Sequence, residues 1–103
     1  NLKKHSNKEK YFFSSIKSNH RKFEEKRYWR GPVWINCNWI IYQGLKNKDK
    51  RFANQIKKKT IDLVKQKGFN EYFSCKTGKG FGATNFSWTA SLFLDLILEN
   101  KYE

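Results

Sequence analysis

The chain has 103 residues, of which 22 are lysine or arginine and nine are aspartate or glutamate, so its formal net charge is +13 at pH 7. This length allows one domain at most, with a hydrophobic core of modest size. The charge alone would suggest a nucleic acid or an anionic membrane as partner, but only four basic residues are arginines, the residue that binds phosphate bidentately. We therefore expect no nucleic-acid partner, and the sequence has no membrane segment.

A polar, lysine-rich start precedes the first predicted helix. Residues 1–12 lack apolar periodicity and predict a loop or a frayed start, and residues 11–28 predict an extended connector. Pro32 suits the first turn of a helix, where its missing N–H would be unpaired in any case. The helix is expected to run from Val33 to Lys46. Its apolar residues lie nearly all round, which is typical of a helix surrounded by protein.

The second predicted helix is amphipathic. It is expected to run from Lys50 to Lys67, capped by Asp49, before Gly68, which suits the left-handed conformation just past a helix end. One stripe is apolar: Phe52, Ile56, Leu63 and Val64. The solvated face is expected to carry Lys57, Lys58, Lys59, Lys65 and Lys67.

The third predicted helix runs from Phe86 to Glu99, with Asn85 as its expected N-cap, and it is apolar around most of its circumference. A loop that contains Glu71 and the glycine-rich run 78–82 precedes it. This run lacks the GxxxxGK[ST] order, so it predicts no nucleotide site. The order buried, amphipathic, buried predicts an all-α protein, with the first and third helices in an inner layer and the second in an outer one.

The cysteines and histidines indicate no metal or redox centre. Cys37 and Cys75 form neither a CxxC pair nor a disulfide framework, and both are expected as free thiols. His5 and His20 lie far apart and outside every motif. We expect neither a metal nor a cofactor.

Three segments carry a resemblance to a known family: residues 28–34 (YWRGPVW), residues 71–73 (EYF) and residues 86–90 (FSWTA). In this order they resemble the C-terminal catalytic portion of glycoside hydrolase family 63 and its relatives, including mannosyl-oligosaccharide glucosidases and mannosylglycerate hydrolases. The resemblance implies a six-hairpin (α/α)6 toroid. That fold needs several hundred residues, so residues 13–103 would be a C-terminal segment of the catalytic domain, completed by the N-terminal remainder of a longer parent.

Glu71 is the candidate catalytic residue. The resemblance implies that it is the general base of an inverting glycosidase, whose general acid, an aspartate, would lie upstream of Asn1. Hydrolysis with inversion needs both carboxyl groups, so the isolated chain is expected to be inactive. Without the resemblance, a solvated loop glutamate would be the ordinary interpretation.

The candidate sugar-binding residues are Tyr28, Trp29, Arg30, Gly31, Trp34 and Trp88, and the resemblance implies that Trp29 and Trp34 line the sugar pocket. Flat aromatic rings match the C–H faces of sugars, and a glycine backbone allows a ligand to approach closely. Packing is the alternative role for the aromatic residues, and a buried carboxylate is the alternative partner for Arg30.

The function that the resemblance implies is hydrolysis of α-glucosidic or α-mannosidic bonds in oligosaccharides or small glycosides. Its substrates would include gluco-oligosaccharides, mannosylglycerate-like glycosides and glucosylated N-glycans. Two alternatives stay open: a noncatalytic basic module that binds RNA or anionic surfaces, and an inactive gene fragment with no fold of its own.

Overall fold

The structure, a computed structural model, describes residues 13–15, 20–29 and 31–99, so the start predicted for residues 1–12 lies outside the described residues. Three helices, α1 (Ile35–Leu45), α2 (Lys50–Lys67) and α3 (Ser87–Glu99), form most of it. Between α2 and α3 the chain forms a short antiparallel hairpin of β1 (Tyr72–Phe73) and β2 (Gly80–Phe81). The predicted all-α class is confirmed.

The first helix begins later than predicted. Val33 is extended, because its N–H and carbonyl both bond to Phe73, at 2.7 and 2.9 Å. Trp34 is the N-cap, with φ −111° and ψ 131°, and the helix starts at Ile35. Pro32 therefore lies three residues before the helix rather than inside its first turn, since backbone pairing with a distant segment prevails over the local signal.

The second helix has the predicted bounds. Asp49 accepts a hydrogen bond from the N–H of Phe52 at 3.2 Å, as expected of an N-cap, and Gly68 follows the helix with φ +90°. All four residues of the predicted apolar stripe are buried. Lys57 is the correction: the sequence pattern assigns it to the solvated face, but its relative exposure is only 5%.

The predicted loop contains more structure than its sequence indicates. Tyr72 pairs with Phe81 and Phe73 with Gly80, in strands too short to produce a visible alternation of apolar and polar residues. Asn85 is the predicted cap of α3, but it has φ +52° and lies in the turn before the helix. The carbonyl of Phe86 accepts the first helical bond, from Ala90.

Two hydrophobic clusters form the core. The first joins all three helices to the N-terminal segment: Phe13, Tyr42, Phe52, Ala53, Ile56 and Leu96. The second lies under the hairpin: Val33, Ile35, Leu63, Val64, Phe73 and Cys75. Residues of α1 and α2 contribute to both clusters, so these two helices join the two parts of the core. Both cysteines are free thiols, as predicted.

Glu99, at the end of α3, lies between two lysines. Lys46 Nζ is 2.9 Å from Glu99 Oε1, and Lys57 Nζ is 3.8 Å from Oε2. Burial opposes ionisation of Glu99, but hydrogen bonds with Lys46 and Tyr42 and the charges of both lysines outweigh it, so the pKa of Glu99 lies below its usual value. This ion cluster explains why Lys57 can be buried.

The helices keep part of their apolar surface in solvent. The exposed large side chains on α1 and α3 are Ile40, Trp88, Leu94 and Leu98. None of the helices in the described ranges is long and apolar enough to cross a membrane. The assignment of α1 and α3 to an inner layer stays a prediction.

Two isoleucine substitutions test the position of the core. Ile56 is fully buried and Ile40 is 60% exposed. In the isolated chain, Ile56→Ala should lower the free energy of unfolding by about 2–5 kcal/mol, because it removes buried methyl groups and leaves a cavity. Ile40→Ala should change it by less than about 0.5 kcal/mol. Urea denaturation measures both, and equal effects of the two substitutions would contradict this fold.

The ion cluster predicts a specific dependence of stability on pH. Folding lowers the pKa of Glu99, so its ionised carboxylate stabilises the fold. This stabilisation is fully present above the ordinary glutamate pKa of about 4.3 and is lost as the pH falls through the folded-state value. Glu99→Gln should therefore be less stable than the wild type at neutral pH and lose less stability on acidification. Asp62→Asn, on α2, is the matched control. If Glu99→Gln lost as much stability on acidification as the wild type, the prediction would be refuted.

Candidate functional site

Backbone pairing brings two of the sequence motifs together. Val33 forms isolated bridges with Ser14 on one side and with Phe73 on the other. The tryptophan-rich segment, residues 28–34, therefore lies beside β1, which follows Glu71 directly. Residues nearly forty positions apart in the chain thus form one local surface.

Three aromatic rings form a continuous stack at this surface, and a fourth ring packs edge-on against it. Trp29 stacks on Trp34 with ring centroids 4.1 Å apart, and Trp34 stacks on Tyr72 at 5.0 Å. Tyr28 meets all three rings edge-on, with centroid distances between 4.8 and 5.5 Å. Offset stacks and edge contacts of this kind stabilise aromatic clusters beyond the area that they bury.

The stack determines which rings can meet a ligand. Trp34 is only 3% exposed because Trp29 and Tyr72 cover its two faces, whereas Tyr28 and Trp29 are each 47% exposed. The indole N–H of Trp34 donates to the carbonyl of Tyr28 at 2.8 Å, and Tyr28 has φ +32°. An L-residue rarely adopts this conformation, so Trp34 holds the backbone that presents the two exposed rings.

Glu71 forms two hydrogen bonds with Ala83, the residue that follows the hairpin and Gly82. Its N–H donates to the carbonyl of Ala83 at 2.9 Å, and the N–H of Ala83 donates to Glu71 Oε1 at 3.1 Å. The side chain is only partly buried. Within the described part of the chain, Oε2 makes no hydrogen bond. Glu71 thus has one oxygen held by Ala83 and one that is available to a ligand.

Ser74 joins the hairpin to the segment that carries Tyr28 and Trp29. Its hydroxyl donates to Glu25 Oε1 at 2.7 Å and accepts from the N–H groups of Lys76 and Thr77, both at 3.1 Å. Ser74 is fully buried. This contact is a second link between the aromatic segment and the hairpin.

The remaining predicted site residues lie in different surroundings. Trp88 is half exposed in the first turn of α3, next to Thr89, whose hydroxyl donates to the carbonyl of Asn70 at 2.8 Å. Gly31 is buried, and a Cβ there would lie 2.2 Å from the carbonyl oxygen of Glu24. The close approach expected of Gly31 is therefore made by the chain itself. Arg30 lies outside the described residues.

Sequence reasoning does not single out the contacts that complete the site. It identifies Tyr72 only as a neighbour of Glu71, and it assigns no role to Ser74, Glu25 or Ala83. The aromatic character of Tyr72, directly after the candidate base, is the signal that could identify it. In the described residues, no group of three or more histidine, cysteine, aspartate or glutamate side chains is placed to hold a metal ion.

Comparison with known sequences gives a consistent result. The chain matches the model of the mannosylglycerate hydrolase MGH1-like glycoside hydrolase domain over residues 1–89. It is 44% identical over 80 residues to a mannosylglycerate hydrolase of Rubrobacter radiotolerans and 40% identical over 88 residues to one of Thermus thermophilus. These alignments cover 75% and 84% of this chain but 18% and 21% of the two relatives. The chain thus spans about a fifth of the length of these relatives.

Solved structures give the same answer for the fold. A GH63 mannosylglycerate hydrolase from Thermus thermophilus, in complex with Tris and D-glycerate, superposes with a TM-score of 0.83 at 36% identity. The match covers 91% of this chain and 24% of that enzyme. GH63 enzymes are six-hairpin helical toroids. The predicted fold, a fragment of an (α/α)6 toroid, is confirmed.

The stack predicts different costs for removing its two tryptophans. Trp34→Ala should lower the free energy of unfolding of the chain by about 3–5 kcal/mol, because the ring is buried on both faces. Trp29→Ala should cost about 1–2 kcal/mol, because half of the ring is already exposed. Denaturation of both variants measures the difference. A larger cost for Trp29→Ala would contradict the arrangement of the stack.

Proposed function

The chain belongs to the mannosylglycerate hydrolase MGH1-like glycoside hydrolase domain family, and on that premise we propose that it is part of an inverting α-glycosidase. The observation that carries the proposal is the state of Glu71. One of its oxygens is held by Ala83, the other makes no hydrogen bond with a described residue, and the carboxylate directly precedes the aromatic stack. A carboxylate in this state suits the activation of a water molecule beside a sugar.

In the proposed reaction Glu71 is the general base. It accepts a proton from water as the water oxygen forms a bond to the anomeric carbon and the glycosidic C–O bond breaks. A second carboxylic acid protonates the leaving oxygen from the opposite side of the sugar. Attack from the far face inverts the anomeric configuration, so an α-glycoside yields a β-sugar. Two carboxyl groups and water suffice, in keeping with the prediction that no cofactor is needed.

The exposed rings supply the sugar platform. Tyr28 and Trp29 each keep about half of their surface open, and the buried ring of Trp34 supports both. The C–H face of a pyranose would contact these open surfaces. Trp34 then acts by holding the platform rather than by stacking on the sugar itself. Direct contacts of Arg30, Gly31 and Trp88 with substrate stay predictions.

A mannosylglycerate-type substrate is favoured over a glucosylated oligosaccharide. The relatives named mannosylglycerate hydrolase are 40–44% identical to this chain, whereas a glucosylglycerate hydrolase of Mycolicibacterium hassiacum is 30% identical. A probable mannosyl-oligosaccharide glucosidase of Schizosaccharomyces pombe is 29% identical. We infer a small α-mannoside with an anionic aglycone as the first substrate to test. The net charge of +13 is compatible with attraction of such an anion.

The rest of the catalytic machinery belongs to the part of the parent outside this chain. No aspartate of the chain resembles the family's general acid, and acid catalysis contributes about 10²–10⁴-fold to such reactions. The isolated chain should therefore show no turnover. Hydrolysis by the isolated chain that Glu71→Gln abolishes would overturn this division of roles.

The decisive measurement is hydrolysis by the full-length parent of mannosylglycerate, glucosylglycerate and simple α-mannosides, with the product anomer followed by NMR. Glu71→Gln should lower kcat by about 10²–10⁴-fold, because it removes the base but keeps the size of the side chain. Glu24→Gln is the matched control. It alters an exposed carboxylate paired with Arg27, and its effect on kcat should be small.

Two outcomes would contradict the proposal. Full activity in Glu71→Gln would show that Glu71 is an ordinary loop residue. A product of retained configuration would exclude the inverting mechanism, since retention requires two successive displacements at the anomeric carbon. Selective loss in Glu71→Gln together with an inverted product would establish the role of Glu71.

A further inference from the structure

We propose that Gly82 is a positioning residue for Glu71, and that the missing side chain at this position holds the carboxylate with Oε1 on Ala83 and leaves Oε2 for water. The inference rests on the proposed function of Glu71 as general base. It goes further by stating which oxygen accepts the proton and which residue sets its position. The observations that support it are the geometry of Gly82 and the two hydrogen bonds between Glu71 and Ala83.

Ala83 bonds to both the backbone and the side chain of Glu71. The backbone bond, N–H of Glu71 to the carbonyl of Ala83 at 2.9 Å, lies just beyond β1 and β2 and is shifted by one residue from their register, which would set Glu71 opposite Gly82. The side-chain bond, N–H of Ala83 to Oε1 at 3.1 Å, then fixes the carboxylate above that pair. Hydrogen bonds to an ionised acceptor are stronger than neutral ones, so Oε1 is the oxygen that stays engaged.

Gly82 provides the space in which this carboxylate lies. A Cβ at position 82 would be 2.6 Å from Glu71 Oε1, 2.8 Å from Tyr72 Cε1 and 2.9 Å from Glu71 Cβ. The residue also has φ +73°, a conformation that glycine adopts readily. Gly82 is therefore constrained twice, by its backbone conformation and by the volume that Glu71 occupies.

A side chain at position 82 would displace the carboxylate of Glu71. Tyr72 is held by the stack with Trp34, and the backbone of Glu71 is paired with Ala83. Rotation of the carboxylate away from Ala83 relieves the contact with Oε1, whereas the contacts with Tyr72 Cε1 and Glu71 Cβ require small shifts of the hairpin. A general base displaced by about 1 Å can lose about 10²-fold in rate.

The other glycines of the chain provide matched comparisons. A Cβ at Gly80 would lie 2.2 Å from Asn70 Cγ, so that glycine accommodates Asn70 rather than Glu71. A Cβ at Gly44 would meet nothing within 4 Å, and Gly44 lies in α1, where alanine is favourable. Gly44→Ala is thus a control for glycine replacement that is remote from the site.

The kinetic experiment uses the full-length parent and compares Gly82→Ala, Gly82→Asn and Gly44→Ala with the wild type. Both Gly82 variants should lose about 10²-fold in kcat, with KM changed by less than about threefold, because an interaction made in the transition state is removed. Asparagine tolerates positive φ better than alanine but also carries a Cβ. Near-normal kcat in Gly82→Asn would assign the effect to backbone strain and overturn the proposal.

A second readout does not depend on activity. In protein labelled with ¹⁵N-alanine, Glu71→Gln should move the Ala83 amide signal in the wild-type background, because the charged acceptor is lost. In the Gly82→Asn background the same substitution should leave the signal in place, since the bond is already broken. An equal shift in both backgrounds would overturn the proposal. If no glycoside is hydrolysed by the wild type, the proposed function fails, while this comparison still decides whether Gly82 positions Glu71.

Discussion

The site depends on the reciprocal pair of backbone hydrogen bonds between Val33 and Phe73. Both residues are fully buried, so breaking the pair would leave amide and carbonyl groups without water or a partner. Because Trp34 and Tyr72 adjoin these two residues in sequence, the pair also sets their rings at stacking distance. The pair thereby holds the aromatic rings and the proposed base, Glu71, next to each other.

The same pair joins the site to the hydrophobic core. Val33 and Phe73 belong to the second cluster, which includes Leu63 and Val64 of α2, and α2 also contributes Ile56 to the first cluster. The polar and aromatic side chains of the site therefore stand on close-packed residues rather than on a free loop. A site held this way keeps its reactive groups in place without spending binding energy on ordering them.

Local signals in the sequence predict the helices well and their contacts less well. The apolar stripe of α2 and the cap at Asp49 depend on neighbouring positions, and both are confirmed. The delayed start of α1 depends on Phe73, about forty residues away, and the burial of Lys57 depends on Glu99 in another helix. In the same way the side-chain N–H of Asn38, a buried polar residue of α1, donates to Thr60 on α2 at 3.1 Å. Periodicity cannot reveal such partners, since each lies in a segment whose position the fold decides.

The chain is much shorter than the enzyme with which it superposes, and this explains why α1 and α3 are apolar nearly all round. Within this chain Ile40 and Leu94 remain in solvent, a cost that a helix surrounded by protein does not carry. The chain covers about a quarter of the enzyme with which it superposes, and three helices cannot close a ring of six hairpins. On the proposed mechanism the missing general acid belongs to the same remainder. Covering the apolar flanks and completing the pair of carboxyl groups are then two requirements that one partner, the rest of the toroid, would meet.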